Sequence, residues 1–271
     1  MMKDSSYNID NIIVEGSDLY IVLDQRKNWI TKAISGKQFH CHKGFFDYDD
    51  IIGKPYGSRV ETNKSATLSI YKPLPSDYLS KLTHSSQIIY PKDAGLILMN
   101  TGIAPGSKVI ETGTGSGALT SILATYVKTD GHVFTYEIRE EAFNTSTKNI
   151  QRLGLESYVT IKNKDASLGF DETNADAVVL DLGDPCEVIP HAHTSLKYSG
   201  TIAVFLPTYN QVEKVYTKLQ EFHFGEIKAI ELIKREMQLK VNAIRPNTRM
   251  IGHTGFLIFA RKLYQEGEEC R

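Results

Sequence analysis

The apolar residues follow two patterns along the chain. Up to residue 83 they form short β-type runs: Asn11-Ile12-Ile13-Val14, Leu19-Tyr20-Ile21-Val22-Leu23 and Ala66-Thr67-Leu68-Ser69-Ile70-Tyr71. Clusters such as Glu15-Gly16-Ser17-Asp18 and Gly53-Lys54-Pro55 separate them, and this rhythm predicts a small antiparallel β unit. The stretch Lys72-Pro73-Leu74-Pro75-Ser76-Asp77 predicts a linker, because two prolines cannot join a strand ladder.

From residue 84 to 271 short apolar strands alternate with helical stretches. Strands are predicted over 109–111, 132–137, 158–161, 175–181, 200–206 and 256–260. Helices are predicted over 119–124, about 140–153, 187–197 and onward from Tyr209. The strands are near-continuous apolar runs, as expected where helices cover both faces of a parallel sheet. The fold class is therefore α/β, a doubly wound, mostly parallel sheet over 84–271, preceded by a small β domain over 1–83.

Composition narrows the function. The chain has 271 residues, 31 Lys+Arg against 32 Asp+Glu, 41% hydrophobic and 23% charged residues, which is ordinary globular usage. With a formal net charge of −1, any nucleic-acid surface must be local. Cys41, Cys186 and Cys270 lie far apart without CxxC spacing, which argues against a disulfide framework or a cysteine zinc site and for a reducing compartment. No apolar run approaches the roughly 20 residues of a membrane span. The opening residues lack a signal-peptide core, so a cytoplasmic protein is expected.

The chemistry centres on Val109-Ile110-Glu111-Thr112-Gly113-Thr114-Gly115-Ser116-Gly117-Ala118-Leu119. Its glycines allow a tight strand-to-helix turn and a close ligand approach. Gly113 to Ala118 also satisfies the dinucleotide pattern, so the loop alone fits either NAD or S-adenosylmethionine. Position favours the latter, because about 100 residues precede the loop. Glu111 just before Gly113 would repel a pyrophosphate and suit the cationic amino group of methionine. Glu137, 22 residues after Gly115, is placed to accept ribose hydroxyls, and Asp165 an adenine amino group. Asp181 ends the next strand. Acids at successive strand ends converge, because ligands of open α/β sheets bind at those carboxyl ends.

Four stretches resemble the tRNA adenine-N1 methyltransferases that modify the T-loop at position 58, in archaea also at 57. They are Gln87-Ile88-Ile89-Tyr90-Pro91-Lys92-Asp93, Glu111 to Gly117, Leu180-Asp181-Leu182-Gly183-Asp184-Pro185, and Gly252-His253-Thr254-Gly255-Phe256-Leu257. The resemblance runs from about 85 to 262 and is looser across the β unit. It implies a class I, Rossmann-like methyltransferase fold, a homotetramer, S-adenosyl-L-methionine as cofactor and tRNA as partner. Cofactor binding falls on Gln87, Gly113, Gly115, Ser116, Gly117, Leu119, Glu137, Asp165 and Asp181, with Glu111 and Ala118 added from the loop pattern. Two positions depart from the family pattern: Gly183, where many members have Pro, and Cys186, where many have Trp.

The implied reaction is attack of adenine N1 on a sulfonium methyl. It needs positioning and a well-placed carboxylate rather than a general base. Asp181 is the expected catalytic carboxylate. Tyr90 is a second catalytic candidate, as a ring stacked on cofactor or base. Lys92 and Asp93 are expected to be a solvated neighbour and a helix cap, and His253 a structural hydrogen-bonding group. Lys234, Arg235, Lys240, Arg245 and Arg249, against only Glu236, give 233–250 a local positive surplus suited to tRNA phosphates; Lys234, Arg235, Arg245 and Arg249 are the named RNA-binding candidates. No metal-ligand spacing is present. The alternatives are a class I methyltransferase acting on protein or a small molecule, an NAD(P) oxidoreductase, and a non-catalytic tRNA-binding subunit, against which the intact glycines and acids argue.

Overall fold

The computed structural model describes residues 11–24, 27–79, 82 and 88–264. The chain divides into two units, Met1–Leu82 and Thr83–Arg271.

In the first unit, alternating apolar residues form β1 (Asp18–Asp24), β2 (Lys27–Lys32), β3 (Gln38–Cys41), β4 (Gly44–Asp47), β5 (Arg59–Glu61) and β6 (Thr67–Tyr71). Four of them make an antiparallel sheet in the order β2-β1-β6-β5, and β3 and β4 form a separate hairpin. Ile21 pairs with Ile70, and both are fully buried with Leu19 and Leu68. The Asn11–Val14 run forms no strand; Ile12 makes one isolated bridge with Pro55. The predicted linker contains the start of a short helix, α1 (Pro75–Leu79). Its prolines bar strand pairing, but Pro75 is suited to a first helical position, and Asp77 accepts the Leu74 amide at 2.8 Å.

The second unit begins with α2 (Pro91–Thr101), β7 (Lys108–Thr112), α3 (Ala118–Val127), β8 (His132–Tyr136) and α4 (Glu140–Arg152). It continues through β9 (Val159–Lys162), β10 (Ala175–Leu180), α5 (Ile189–Ser195), β11 (Leu196–Leu206) and α6 (Tyr209–Glu221). The remaining strands are β12 (Phe224–Glu231), β13 (Met237–Gln238), β14 (Arg245–Pro246) and β15 (Phe256–Lys262). Seven strands form one sheet in the order β12-β15-β11-β10-β7-β8-β9. The pairs from β11 through β9 are parallel, and β15 runs antiparallel to β11 and β12. The central strands are apolar because both faces are covered: Val178, Val179, Leu180, Ile202 and Val204 have no exposed surface.

Adjacent β7 and β10 lead off in opposite directions, β7 by α3 to β8 and β10 by α5 to β11. The sheet therefore opens a crevice at their carboxyl ends, where such folds take ligands.

Candidate active site

The crevice is an 820 Å³ cavity. The glycine loop lines it, and at Gly113 the neighbouring backbone leaves no room for a side chain. Gly113 has φ +78°, and a Cβ on it would meet the Asp181 carbonyl oxygen at 1.8 Å. The Asp181 amide in turn donates to the Thr112 carbonyl at 3.1 Å, so the ends of β7 and β10 are stitched together. Gly117, at φ +79°, closes the turn into α3 by donating its amide to the Thr114 carbonyl at 2.8 Å. It lies over Ser146 and Ile150 of α4 and is not part of the cavity wall.

Gly113, Gly115, Ser116, Ala118 and Leu119 line the cavity. So do three of the acids, Glu137, Asp165 and Asp181. Glu137 is 3% exposed; its Oε2 accepts the Gly115 amide at 2.8 Å and its Oε1 the Arg139 amide at 3.0 Å. Asp165 accepts the Ser167 amide at 2.9 Å, which holds its carboxyl below the usual carboxylate range. Asp181 has no side-chain hydrogen bond among the described residues. Burial, with the Glu137 charge nearby, pushes its carboxyl up to about 6.

The fourth acid departs from expectation. Glu111 is 1% exposed and is not part of the cavity wall. Strand alternation carries its side chain to α3, where Thr120 donates to Oε2 at 2.6 Å. Burial pushes its carboxyl up to about 8, which favours the uncharged form, and the side chain is packed against α3 rather than placed to meet an ammonium in the cavity.

Tyr90 does not line the cavity; Ile88 and Ile89 before it do. It precedes α2, its carbonyl accepting the Asp93 and Ala94 amides at 2.9 and 3.0 Å. Gln87 lies outside the described residues. Lys92 and Asp93 are not solvated, the pair being 10% and 1% exposed at the side chain. Lys92 Nζ donates to Asp93 Oδ1 at 2.7 Å, to the Leu232 carbonyl at 2.6 Å and to Thr254 Oγ1 at 2.7 Å. Thr254 lines the cavity, so this cluster anchors its wall. Beside it His253, also on the wall, contacts Glu231 Oε1 through Nδ1 at 2.7 Å and the Pro207 carbonyl through Nε2 at 3.0 Å. The Glu231 contact holds the imidazole above its ordinary value. Both nitrogens are engaged, the structural role expected of His253.

Lys234, Arg235, Arg245 and Arg249 are exposed on the excursion between β12 and β15 and none lines the cavity. Lys234 pairs with Glu236 at 2.8 Å. The charges alternate with exposed apolar side chains, among them Leu239 (71%), Val241 (86%) and Ile244 (66%), which the charge count alone does not reveal. At the two departing positions, the Gly183 carbonyl accepts Gln211 Nε2 at 3.0 Å, and Cys186 packs against the main core.

A seven-stranded sheet with one antiparallel strand, a glycine loop after its central strand and acids at the neighbouring strand ends defines a class I methyltransferase. The fold neighbours agree. The crystal structure of an S-adenosylmethionine-dependent O-methyltransferase from Thermotoga maritima matches at TM-score 0.86 and 33% identity, covering 97% of this chain and 98% of that one. That of tRNA (m1A58) methyltransferase TrmI from Aquifex aeolicus matches at TM-score 0.79 and 28% identity, covering 94% and 100%.

The family described as tRNA methyltransferase complex GCD14 subunit matches residues 68–244, and the TrmI-like N-terminal family matches residues 22–60. The chain is 34% identical over 268 residues to tRNA (adenine(57)-N(1)/adenine(58)-N(1))-methyltransferase TrmI of Methanocaldococcus jannaschii, covering 89% of this chain and 94% of the relative. It is 31% identical over 250 residues to tRNA (adenine(58)-N(1))-methyltransferase TrmI of Thermus thermophilus, covering 89% and 96%. The chain belongs to the GCD14/TrmI family of tRNA methyltransferases.

The family implies S-adenosylmethionine as methyl donor, and the residues present fit it. The amides of Gly113 and Gly117 are bonded to carbonyls, and that of Gly115 to the Glu137 carboxylate, which places a negative charge against the loop where a dinucleotide would bring its pyrophosphate. What faces the cavity is acceptor-rich: Glu137, Asp165 and Asp181 suit ribose hydroxyls, an amino group and a cation. The buried Thr112 Oγ1, on the same wall, also lacks a partner among the described residues.

Proposed function

We propose that this chain methylates N1 of adenine 58 in the T-loop of tRNA, using S-adenosylmethionine. The observation that carries this reading is the Asp181 carboxyl, which lines the cavity beside the glycine loop without a hydrogen-bond partner among the described residues. Position 58 is common to the names of the bacterial and archaeal relatives, and 57 occurs in the archaeal name.

S-adenosylmethionine, when bound, supplies an electrophilic methyl group on a sulfonium, and adenine N1 takes it up to give a cationic base. Glu137 accepts the ribose hydroxyls and Asp165 the adenine amino group of the donor, while Ser116, Ala118 and Leu119 line its bed. Asp181 accepts a hydrogen bond from the exocyclic amino group of the target adenine, which turns N1 inward. The same carboxylate lies where positive charge passes to the base, and a preformed charge there needs no reorganisation during reaction. No residue has to remove a proton, because the N1 lone pair is already available.

The target adenine must leave the folded T-loop to reach the cavity. Lys234, Arg235, Arg245 and Arg249 supply phosphate contacts on the excursion that ends at the cavity wall, at His253 and Thr254. A homotetramer fits the exposed apolar residues of that excursion, which subunit contacts would cover. Among the described residues no helix is long and apolar enough to cross a membrane, and a tRNA substrate fits a cytoplasmic location.

The test is incubation of the purified protein with unmodified tRNA and methyl-labelled donor, followed by nucleoside mapping. Label at N1 of adenine 58, with or without 57, is expected. Label on protein or small molecules in place of tRNA would overturn the reading.

A further inference from the structure

Tyr209, the first residue of α6 and two residues beyond Pro207 of the cavity wall, is an aromatic side chain that is 74% exposed. Its ring centroid lies 4.5 Å from that of Phe256, tilted by 41°. Phe256 is buried at 7% exposure, and its ring lies 4.8 Å from His253, which lines the cavity. Three rings thus run from the cavity wall outward, ending in Tyr209.

The position of Tyr209 is fixed. Two residues earlier Pro207 lines the cavity, and its carbonyl receives His253 Nε2 at 3.0 Å. Thr208 caps α6 by accepting the Gln211 amide at 3.4 Å. Gln211 Nε2 then donates at 3.0 Å to the carbonyl of Gly183, itself on the cavity wall. Its contact with Phe256 leaves most of the Tyr209 surface open to solvent, on an anchored backbone.

We infer that Tyr209 is a stacking platform for a nucleobase adjoining the adenine that enters the cavity. The inference rests on the tRNA reading above. When one base swings out of an RNA loop, its neighbours lose a stacking partner. An aromatic face at the rim replaces it without reading sequence, because every base has a π-face. Aromatic stacking on this scale corresponds to about tenfold in affinity per base.

The test uses the full-length protein with Tyr209→Ala and Tyr209→Trp. With Tyr209→Ala, KM for tRNA rises about tenfold, kcat at saturating tRNA changes less than about twofold, and donor affinity by calorimetry is unchanged. Tyr209→Trp restores KM. A tRNA carrying 2-aminopurine at 57 or 59 is quenched on binding wild type and less so on binding Tyr209→Ala. An unchanged tRNA KM and unchanged quenching, while wild type methylates tRNA normally, would overturn the platform alone. A changed oligomer mass on light scattering would also overturn it, by making Tyr209 a subunit contact. If wild type methylates no tRNA at all, the functional reading fails and the platform falls with it.

Discussion

Thr254 donates a hydrogen bond to Asp93 Oδ2 at 3.0 Å, joining residues 161 positions apart. The same hydroxyl accepts Lys92 Nζ at 2.7 Å. The Tyr-Pro-Lys-Asp and Gly-His-Thr-Gly stretches thus clasp one another, and their shared product is one wall of the cavity.

Stability should depend on that clasp. Removing one partner of a buried ion pair leaves an uncompensated charge, which costs about 3–5 kcal/mol. Lys92→Met should lose about that much in urea unfolding, and adding Asp93→Asn should recover part of it. A loss below about 1 kcal/mol, the size of a surface pair, would show that the clasp carries no structural weight.

Gly113→Ala should abolish donor binding. The added methyl would sit 1.8 Å from the Asp181 carbonyl oxygen, and backbone on both sides prevents a small adjustment. Calorimetry on the soluble variant checks this, and wild-type affinity would refute the close approach.

Six strands of the large sheet were legible because buried strands leave continuous apolar runs, and α4 because its amphipathic face repeats at helical spacing; edge strand β12 was not, since Phe224–Glu231 mixes exposed polar and apolar residues. The short strands β2 to β5 were not, since Lys27–Lys32 and Gln38–Cys41 mix polar and apolar residues without a clear run. At the site, Glu137, Asp165 and Asp181 were readable from their strand-end positions. Glu111 was misjudged because it lies inside β7 rather than after it, so the pleat turns it to α3. Alternation from Thr112, which lies on the wall, was the available signal. The burial of Lys92 and Asp93 carried no local signal, because their partners Leu232 and Thr254 lie far along the chain.

The buried Glu111 gives stability a pH slope. Its carboxyl titrates near 4.5 in the unfolded chain and at about 8 in the fold. The folded state therefore binds more protons between those values, and stability falls as pH rises from about 4.5 to 8. Glu111→Gln should flatten this part of the urea-midpoint profile. A variant that keeps the wild-type slope would place the titration elsewhere.

Donor affinity should have the opposite slope. Asp181 carries a proton below about 6 in the free protein, and a cationic ligand favours its carboxylate. Affinity should weaken as pH falls below 6, approaching tenfold per unit, and level off above. Asp181→Asn should lose this dependence. An identical profile in that variant would contradict the assignment.

The most direct test of Asp181 at the reacting centre is single-turnover methylation of unmodified tRNA by Asp181→Ala, with donor and enzyme saturating. The rate constant should fall by roughly 10²–10³, the loss typical of one electrostatic stabiliser. A near-normal rate constant would contradict the account.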